Sequence, residues 1–328
     1  MYVVTGGAGF IGSNIVSALA ARNVGPIVVV DRLKSDERWR NIAKQELADV
    51  VSPENLIDFL EANAGDVEAV IHMGAISATT ENDADLIIAN NFQYPMDLWR
   101  WCAANDVRLI YASSAATYGD GSQGFDDDGS IEALAKLRPL NAYGWSKHLF
   151  DRRVARMIID GDPRPPQWAG LKFFNVYGPN EYHKERMSSV VSQIFPIASR
   201  DEACRLFKSH HPDYEDGGQL RDFIWVGDCV DVVLWLLDNP KVNGLFNCGT
   251  GNARSFADLA RAVYAAVNKA PNIEYIDTPQ DIRDKYQYFT EARMERLIEA
   301  GYPNSMTSLE DGVTQYVQSY LSADDPYR

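Results

Sequence analysis

Three glycines spaced three apart, Gly6, Gly9 and Gly12, sit in the run Gly6-Gly7-Ala8-Gly9-Phe10-Ile11-Gly12. No other feature narrows the fold as much, because of what flanks it. Tyr2-Val3-Val4 before it reads as a short buried strand, and Ile11, Ile15, Ala18 and Leu19 after it recur at helical spacing. A strand that turns through glycines into a helix is the opening of a crossover unit. Gly6 permits the tight turn, Gly9 a close approach of backbone to a pyrophosphate, and Gly12 close packing of helix on sheet. The unpaired N–H groups of the helix start then face the negative charge.

The rest of the first half repeats the alternation. Strands are predicted at Ile27–Val30, 67–72, 109–113 and 168–174, all rich in valine, isoleucine or aromatics, as buried parallel strands are. Pro53 marks a helix start, with Leu56, Ile57 and Leu60 on one face. Beyond about residue 178 the pattern loosens. The stretch 210–219 (HHPDYEDGGQ) reads as loop, and strand or helix signals return at 223–225, 230–237, 245–247 and 256–267. The expectation is an α/β chain. It has a Rossmann-type doubly wound parallel sheet over residues 1–178 and a smaller C-terminal substrate-binding α/β domain over 179–328, with segments at about 221–255 returning to the first sheet.

Charge excludes some functions. Among 328 residues, 31 Lys and Arg stand against 46 Asp and Glu, a net charge of −15, which repels nucleic acid and anionic membrane. The four cysteines are far apart and the five histidines form no metal-binding pattern, so no disulfide framework and no metal are expected. The first residues lack the features of a signal peptide, and no apolar run is long enough to span a bilayer; a cytoplasmic location is expected.

Asp31 closes the second strand, where a carboxylate accepts hydrogen bonds from ribose hydroxyls and favours NAD. Arg32, Lys34, Arg38 and Arg40 follow at once, and such cations suit the 2′-phosphate of NADP. On the residues alone, both cofactors stand. Further on, Tyr143 and Lys147 fall at i and i+4 on one helix face. A phenol titrates near 10, so a neighbouring ammonium and a positive nicotinamide ring are needed to favour its anion. Ser114, at the carboxyl end of the fourth strand, lies where open α/β sheets bind ligands and can donate to a sugar oxygen.

Together these segments resemble the extended short-chain dehydrogenase/reductases that act on nucleotide sugars: TGGAGFIGSNIV at the start, YASSAATYG at 111–119, YGWSK at 143–147, FNVYGP at 173–178, RDFIWVGD at 221–228 and FNCGTG at 246–251. Within that superfamily the chain is most similar to the ADP-L-glycero-D-manno-heptose 6-epimerase family, through MGAISATTE at 73–81, Asn90-Asn91, His183-Lys184 and Lys285 to Thr290. The resemblance implies C6″ epimerisation of ADP-D-glycero-D-manno-heptose by transient oxidation and re-reduction with bound NADP, rather than NAD, for lipopolysaccharide core biosynthesis. It implies Tyr143 and Lys184 as the two acid/base residues, with Lys147 and Ser114 in support. Cofactor contacts would come from Phe10, Ile11, Arg32, Arg38, Met73, Gly74, Ala75, Ile76, Ser77, Asn90 and Val176, besides the three glycines, Asp31 and Lys147. Asn175, Arg186, Gln193, Phe207, Arg221 and Tyr286 would hold the ADP-sugar. A homo-oligomer is also implied.

The chain departs from that family at Pro53, where a lysine is frequent, at Arg186, and at Lys208-Ser209-His210, which opens a longer loop. A dehydratase is disfavoured, because Ser113-Ser114-Ala115 stands where those enzymes carry Thr-Asp-Glu. A 4-epimerase or reductase on another nucleotide sugar, and a non-enzymatic nicotinamide-binding protein, are the alternatives.

Overall fold

The structure, a computed structural model, describes residues 1–283 and 287–328, with backbone alone for Arg186, Asp281 and Ile282. Seven parallel strands form the main sheet in the order Gly244–Cys248, Trp168–Phe173, Arg108–Ser114, Ala69–His72, Tyr2–Thr5, Ile27–Val30, Asp49–Val51. Tyr2–Thr5 and Ala69–His72 are neighbours although two strands separate them in sequence, so the crossovers diverge between them. That switch point opens a crevice beyond the strands' carboxyl ends.

The strands explain their own burial. Val3, Val4, Val28 to Val30 and Ala69 to Ile71 are almost wholly inaccessible, which requires helices on both faces. Those helices include Phe10–Ala21, Tyr94–Ala104, Ala142–Asp160 and Val226–Asp238. A second apolar interior forms where Val190–Ser199, Phe256–Ala266 and Leu309–Tyr316 pack together. Phe10, the first residue of the glycine-loop helix, is buried in that second interior. The cofactor loop is thus clamped between the two.

Three details differ from the sequence expectation. Asp49–Val51 is an edge strand that carries no readable signal, since only Val51 is buried. Pro53 starts a short 3-10 turn, Pro53–Asn55, and the α-helix begins one step later at Leu56–Ala62. The strand expected over 67–72 pairs only over Ala69–His72.

Candidate active site

A cleft of about 680 Å³ lies at the switch point. Its floor is the glycine loop. Gly6 has φ +63°, and a Cβ on it would lie 2.6 Å from the Gly74 nitrogen; a Cβ on Gly12 would lie 2.1 Å from the Gly6 carbonyl oxygen. Side chains at either place would push the loop off the sheet. The helix that follows, Phe10–Ala21, has no side-chain cap and no acidic residue in its first turn, so its amides remain for an anion. Tyr94, also on the cleft wall, buries a hydroxyl that has no partner among the described residues. An extended cleft, uncapped amides and an orphan hydroxyl fit a dinucleotide.

At the ribose end, the Asp31 carboxylate accepts from the Ala8 and Arg32 amides, at 3.0 and 2.8 Å, and lies 3.6 Å from the Arg38 guanidinium. Burial raises its pKa, against those donors and the Arg38 charge. Arg38 grips Asp36 with two bonds of 2.8 and 2.7 Å, while Arg32 pairs with Glu54 at 2.6 Å and reaches the Asn90 oxygen at 3.4 Å. Arg32, Lys34 and Arg38 all line this end.

At the other end stand Ser114, Tyr143 and Lys147. The helix Ala142–Asp160 starts at Asn141, whose side chain accepts from the Gly144 amide at 2.8 Å. Gly144 lets the helix start close on the turn after Ser114, since a Cβ there would lie 2.6 Å from the Ala116 carbonyl oxygen. This contact sets the Tyr143 phenol beside the Ser114 hydroxyl. Burial raises the phenol's pKa and the Ser114 bond lowers it. The lowering by Lys147 expected from the spacing is not part of the balance, because Lys147 is turned to the Ala112 carbonyl, 2.7 Å away. Burial brings the Lys147 ammonium down to about 8, with Asp151 opposing.

Lys184 reaches the same cleft from the 3-10 turn Tyr182–Met187. Its ammonium stands 5.3 Å from the centre of the Phe10 ring, and burial lowers its pKa against the nearby Glu181 carboxylate. Glu181 is itself buried and fixed by the Ser189 amide and hydroxyl, both at 2.6 Å. The next residue, Glu185, has φ 47° and ψ −117°. That sparsely populated conformation costs on the order of 1–3 kcal/mol and persists only where surrounding contacts over-determine it.

All the sequence-predicted cofactor and catalytic residues line this cleft: Gly6, Gly9, Phe10, Ile11, Gly12, Asp31, Arg32, Arg38, the 73–77 segment, Asn90, Ser114, Tyr143, Lys147, Val176 and Lys184. The described sugar-side residues Asn175, Gln193, Phe207 and Arg221 do not. Arg221 stacks over Phe256 at 5.6 Å and bonds the Leu220 and Gln287 carbonyls. Gln193 bonds the Ser188 carbonyl, Phe207 ends a strand paired with Ile273–Ile276, and Asn175 is exposed. Tyr286 lies outside the described residues, as does the Arg186 side chain.

Comparisons with known proteins agree with this architecture. Residues 2–249 match the NAD dependent epimerase/dehydratase family. The chain belongs to that family. It is 52% identical to an ADP-L-glycero-D-manno-heptose-6-epimerase of Nitratidesulfovibrio vulgaris (strain DP4) across all of both chains. It is 47% identical to the enzyme of that name from Fusobacterium nucleatum subsp. nucleatum, again across all of both. A crystal structure of the Helicobacter pylori ADP-L-glycero-D-manno-heptose-6-epimerase superposes with a TM-score of 0.80 at 25% identity, covering 98% of this chain and 96% of that one. As a member of the NAD dependent epimerase/dehydratase family the protein works with a nicotinamide cofactor on a nucleotide sugar. No helix among the described residues is long and apolar enough to cross a membrane.

The roles of several residues that shape this epimerase site escaped the sequence reading. Asn91 joins the 73–77 segment to the catalytic helix, exchanging bonds with the Ile76 backbone at 2.8 and 2.9 Å and donating to Ser146 at 3.0 Å. Beneath Lys147, Asp151 and Lys172 form an ion pair of 2.8 Å with neither side chain exposed by more than 1%. Ser113 donates to the same Asp151 oxygen at 2.7 Å, and Lys172 to Thr117 at 2.8 Å. The pair thereby braces both flanks of Ser114. Lys172 within the apolar run Leu171-Lys172-Phe173-Phe174 was the available signal.

Proposed function

We propose that the protein inverts C6″ of ADP-D-glycero-D-manno-heptose with NADP retained through the cycle, giving the L-glycero epimer for lipopolysaccharide core assembly. It is an isomerase, and its full-length relatives carry that activity in their names. Bound NADP supplies a reversible hydride acceptor. The chain supplies proton handling from two walls of the cleft, which carries the reading: Tyr143 from the helix Ala142–Asp160 and Lys184 from the turn Tyr182–Met187. Hydride leaves one face of C6″ and returns to the other after the ketone turns, so the sugar oxygen stands differently in the two half-reactions, and a proton carrier on each wall serves one of them. Ser114 donates to the reacting oxygen, and Lys147, on the same helix as Tyr143, supports the cofactor.

NADP rather than NAD is supported by the ribose end of the cleft. Both Asp31 oxygens are engaged by backbone amides, and three cations flank it. Arg38 and Arg32 would hold a 2′-phosphate there in place of their Asp36 and Glu54 partners.

Purified protein given ADP-D-glycero-D-manno-heptose and no added nicotinamide is expected to form the L-glycero epimer, resolved by NMR. Tyr143→Phe and Lys184→Met are each expected to lose about 10²-fold or more in kcat. A fully active Lys184→Met would overturn the two-wall assignment. Failure of NADP-loaded protein to convert this sugar would overturn the substrate.

A further inference from the structure

The residues just before the end of the described chain run back over the cleft's outer wall. Tyr182 opens the turn that carries Lys184. Its ring meets Tyr327 edge-on, at 5.3 Å and 88°, and its hydroxyl donates to the Pro326 carbonyl at 2.8 Å. Lys44 donates to the Tyr327 carbonyl and pairs with Asp325 at 2.9 Å, beside the turn that carries Arg38. We infer that residues 325–328 act as a strap that positions the Lys184 turn against the cofactor loop, with Tyr327 and Arg328 as positioning residues for the epimerisation. This inference rests on the acid/base reading of Lys184 given above.

Three buried asparagines show where the strap's hold leads. Asn14 donates to the carbonyls of Phe10 and Pro179, at 2.9 and 3.0 Å. Asn41 donates to those of Ala8 and Asn180, at 2.8 and 3.0 Å. Asn180 donates to the Ser13 hydroxyl at 3.0 Å. The bonds to Pro179, to the Asn180 carbonyl and from Asn180 to Ser13 tie the glycine-loop helix and the Arg38 turn to the chain just ahead of Lys184, and the Asn41 bond to Ala8 ties that turn to the loop itself. The Asn14 and Asn180 side-chain oxygens accept from Arg328, through its guanidinium at 3.2 Å and its amide at 3.0 Å. Without Arg328, two buried acceptors lose these donors.

A purely stabilising tail would look different. The Lys44–Asp325 pair is half-exposed on both sides and adds little to stability. What the strap touches is specific: the segments bearing Lys184 and Arg38 and the helix behind the glycine loop. Lys184 is followed by Glu185 in its rare backbone conformation, which needs fixed neighbours. Tyr182, gripped by Tyr327 and Pro326, fixes the start of that turn.

The test compares NADP-loaded wild type with Tyr327→Ala, Tyr327→Phe, Arg328→Ala and Lys184→Met. Displacing an acid/base group by about 1 Å costs about 10²-fold. Tyr327→Ala and Arg328→Ala are therefore expected to lower kcat on that scale, with KM for the sugar near wild type and the melting temperature lowered by no more than about a few degrees. Tryptic cleavage at Lys184 is expected to accelerate in both. Tyr327→Phe is expected to restore kcat, because the ring and backbone, not the hydroxyl, make the contacts. Wild-type kcat and cleavage rate in both alanine variants, beside an inactive Lys184→Met, overturn the strap and leave the acid/base reading standing. A loss of kcat matched by a collapse in melting temperature and not rescued by Tyr327→Phe also overturns it. A fully active Lys184→Met overturns the acid/base reading, and the strap with it.

Discussion

Lys147 shows how burial and function meet in one side chain. Its ammonium donates to the Ala112 carbonyl, and burial pulls its pKa to about 8, well below the ordinary lysine value near 10.4. Between those two values an unfolded chain holds the proton and the folded one does not. Stability therefore rises with pH across that interval, and below about 8 the folded state carries the charge at a constant cost. Activity runs the other way. The Lys147 ammonium puts positive charge on the cleft wall where an anionic cofactor would lie, and that charge is lost as pH rises through 8. The kcat profile is expected to show an alkaline limb near pH 8, read in a buffer series; a profile of unchanged shape in Lys147→Met would contradict the assignment. At this scale the sequence was informative where spacing carried the signal. The i, i+4 relation of Tyr143 and Lys147 was legible. That Lys147 answers to the Ala112 carbonyl was not, because a backbone acceptor on a strand distant in sequence leaves no mark in local sequence.

Among the elements, the catalytic helix and the strand beside it are joined by the Asp151–Lys172 pair. Taking two charges out of water is costly, and their attraction only roughly repays it, so such a pair matters most when it is broken. Asp151→Asn leaves Lys172 buried without its counter-charge and is expected to cost about 3–5 kcal/mol in urea denaturation. Lys172→Met is expected to cost a similar amount. The double variant Asp151→Leu/Lys172→Met is expected to be more stable than either single one, because neither charge is then stranded; losses that simply add would contradict this. The helix was readable as the one that Tyr143 and Lys147 open, though not its Asn141 start. The pair was not, since a charge on a helix reads as solvent-facing until the partner strand is placed. Asp49–Val51 escaped for the opposite reason: at the sheet edge, with two of its three residues exposed, it has no apolar run to betray it.

For the molecule as a whole, two apolar interiors meet at the glycine loop, and the cleft runs along their junction. The sheet's parallel character was legible because each central strand is apolar on both faces. The joining contacts were not. Asn14, Asn41 and Asn180 are far apart in the chain, and single asparagines read as turn residues. Of the sugar-binding residues expected from resemblance, Asn175, Gln193, Phe207 and Arg221 lie off the cleft's walls; Tyr286 and the Arg186 side chain are outside the described residues.

The central claim is that C6″ is inverted by removing and returning hydride within one active site, with Tyr143 and Lys184 moving protons only on oxygen. Substrate deuterated at C6″ tests it directly when converted in ordinary water and analysed by NMR. The L-glycero product is predicted to keep its deuterium at C6″. Washout to hydrogen would mean that the protein strips a proton from carbon, and would contradict the account.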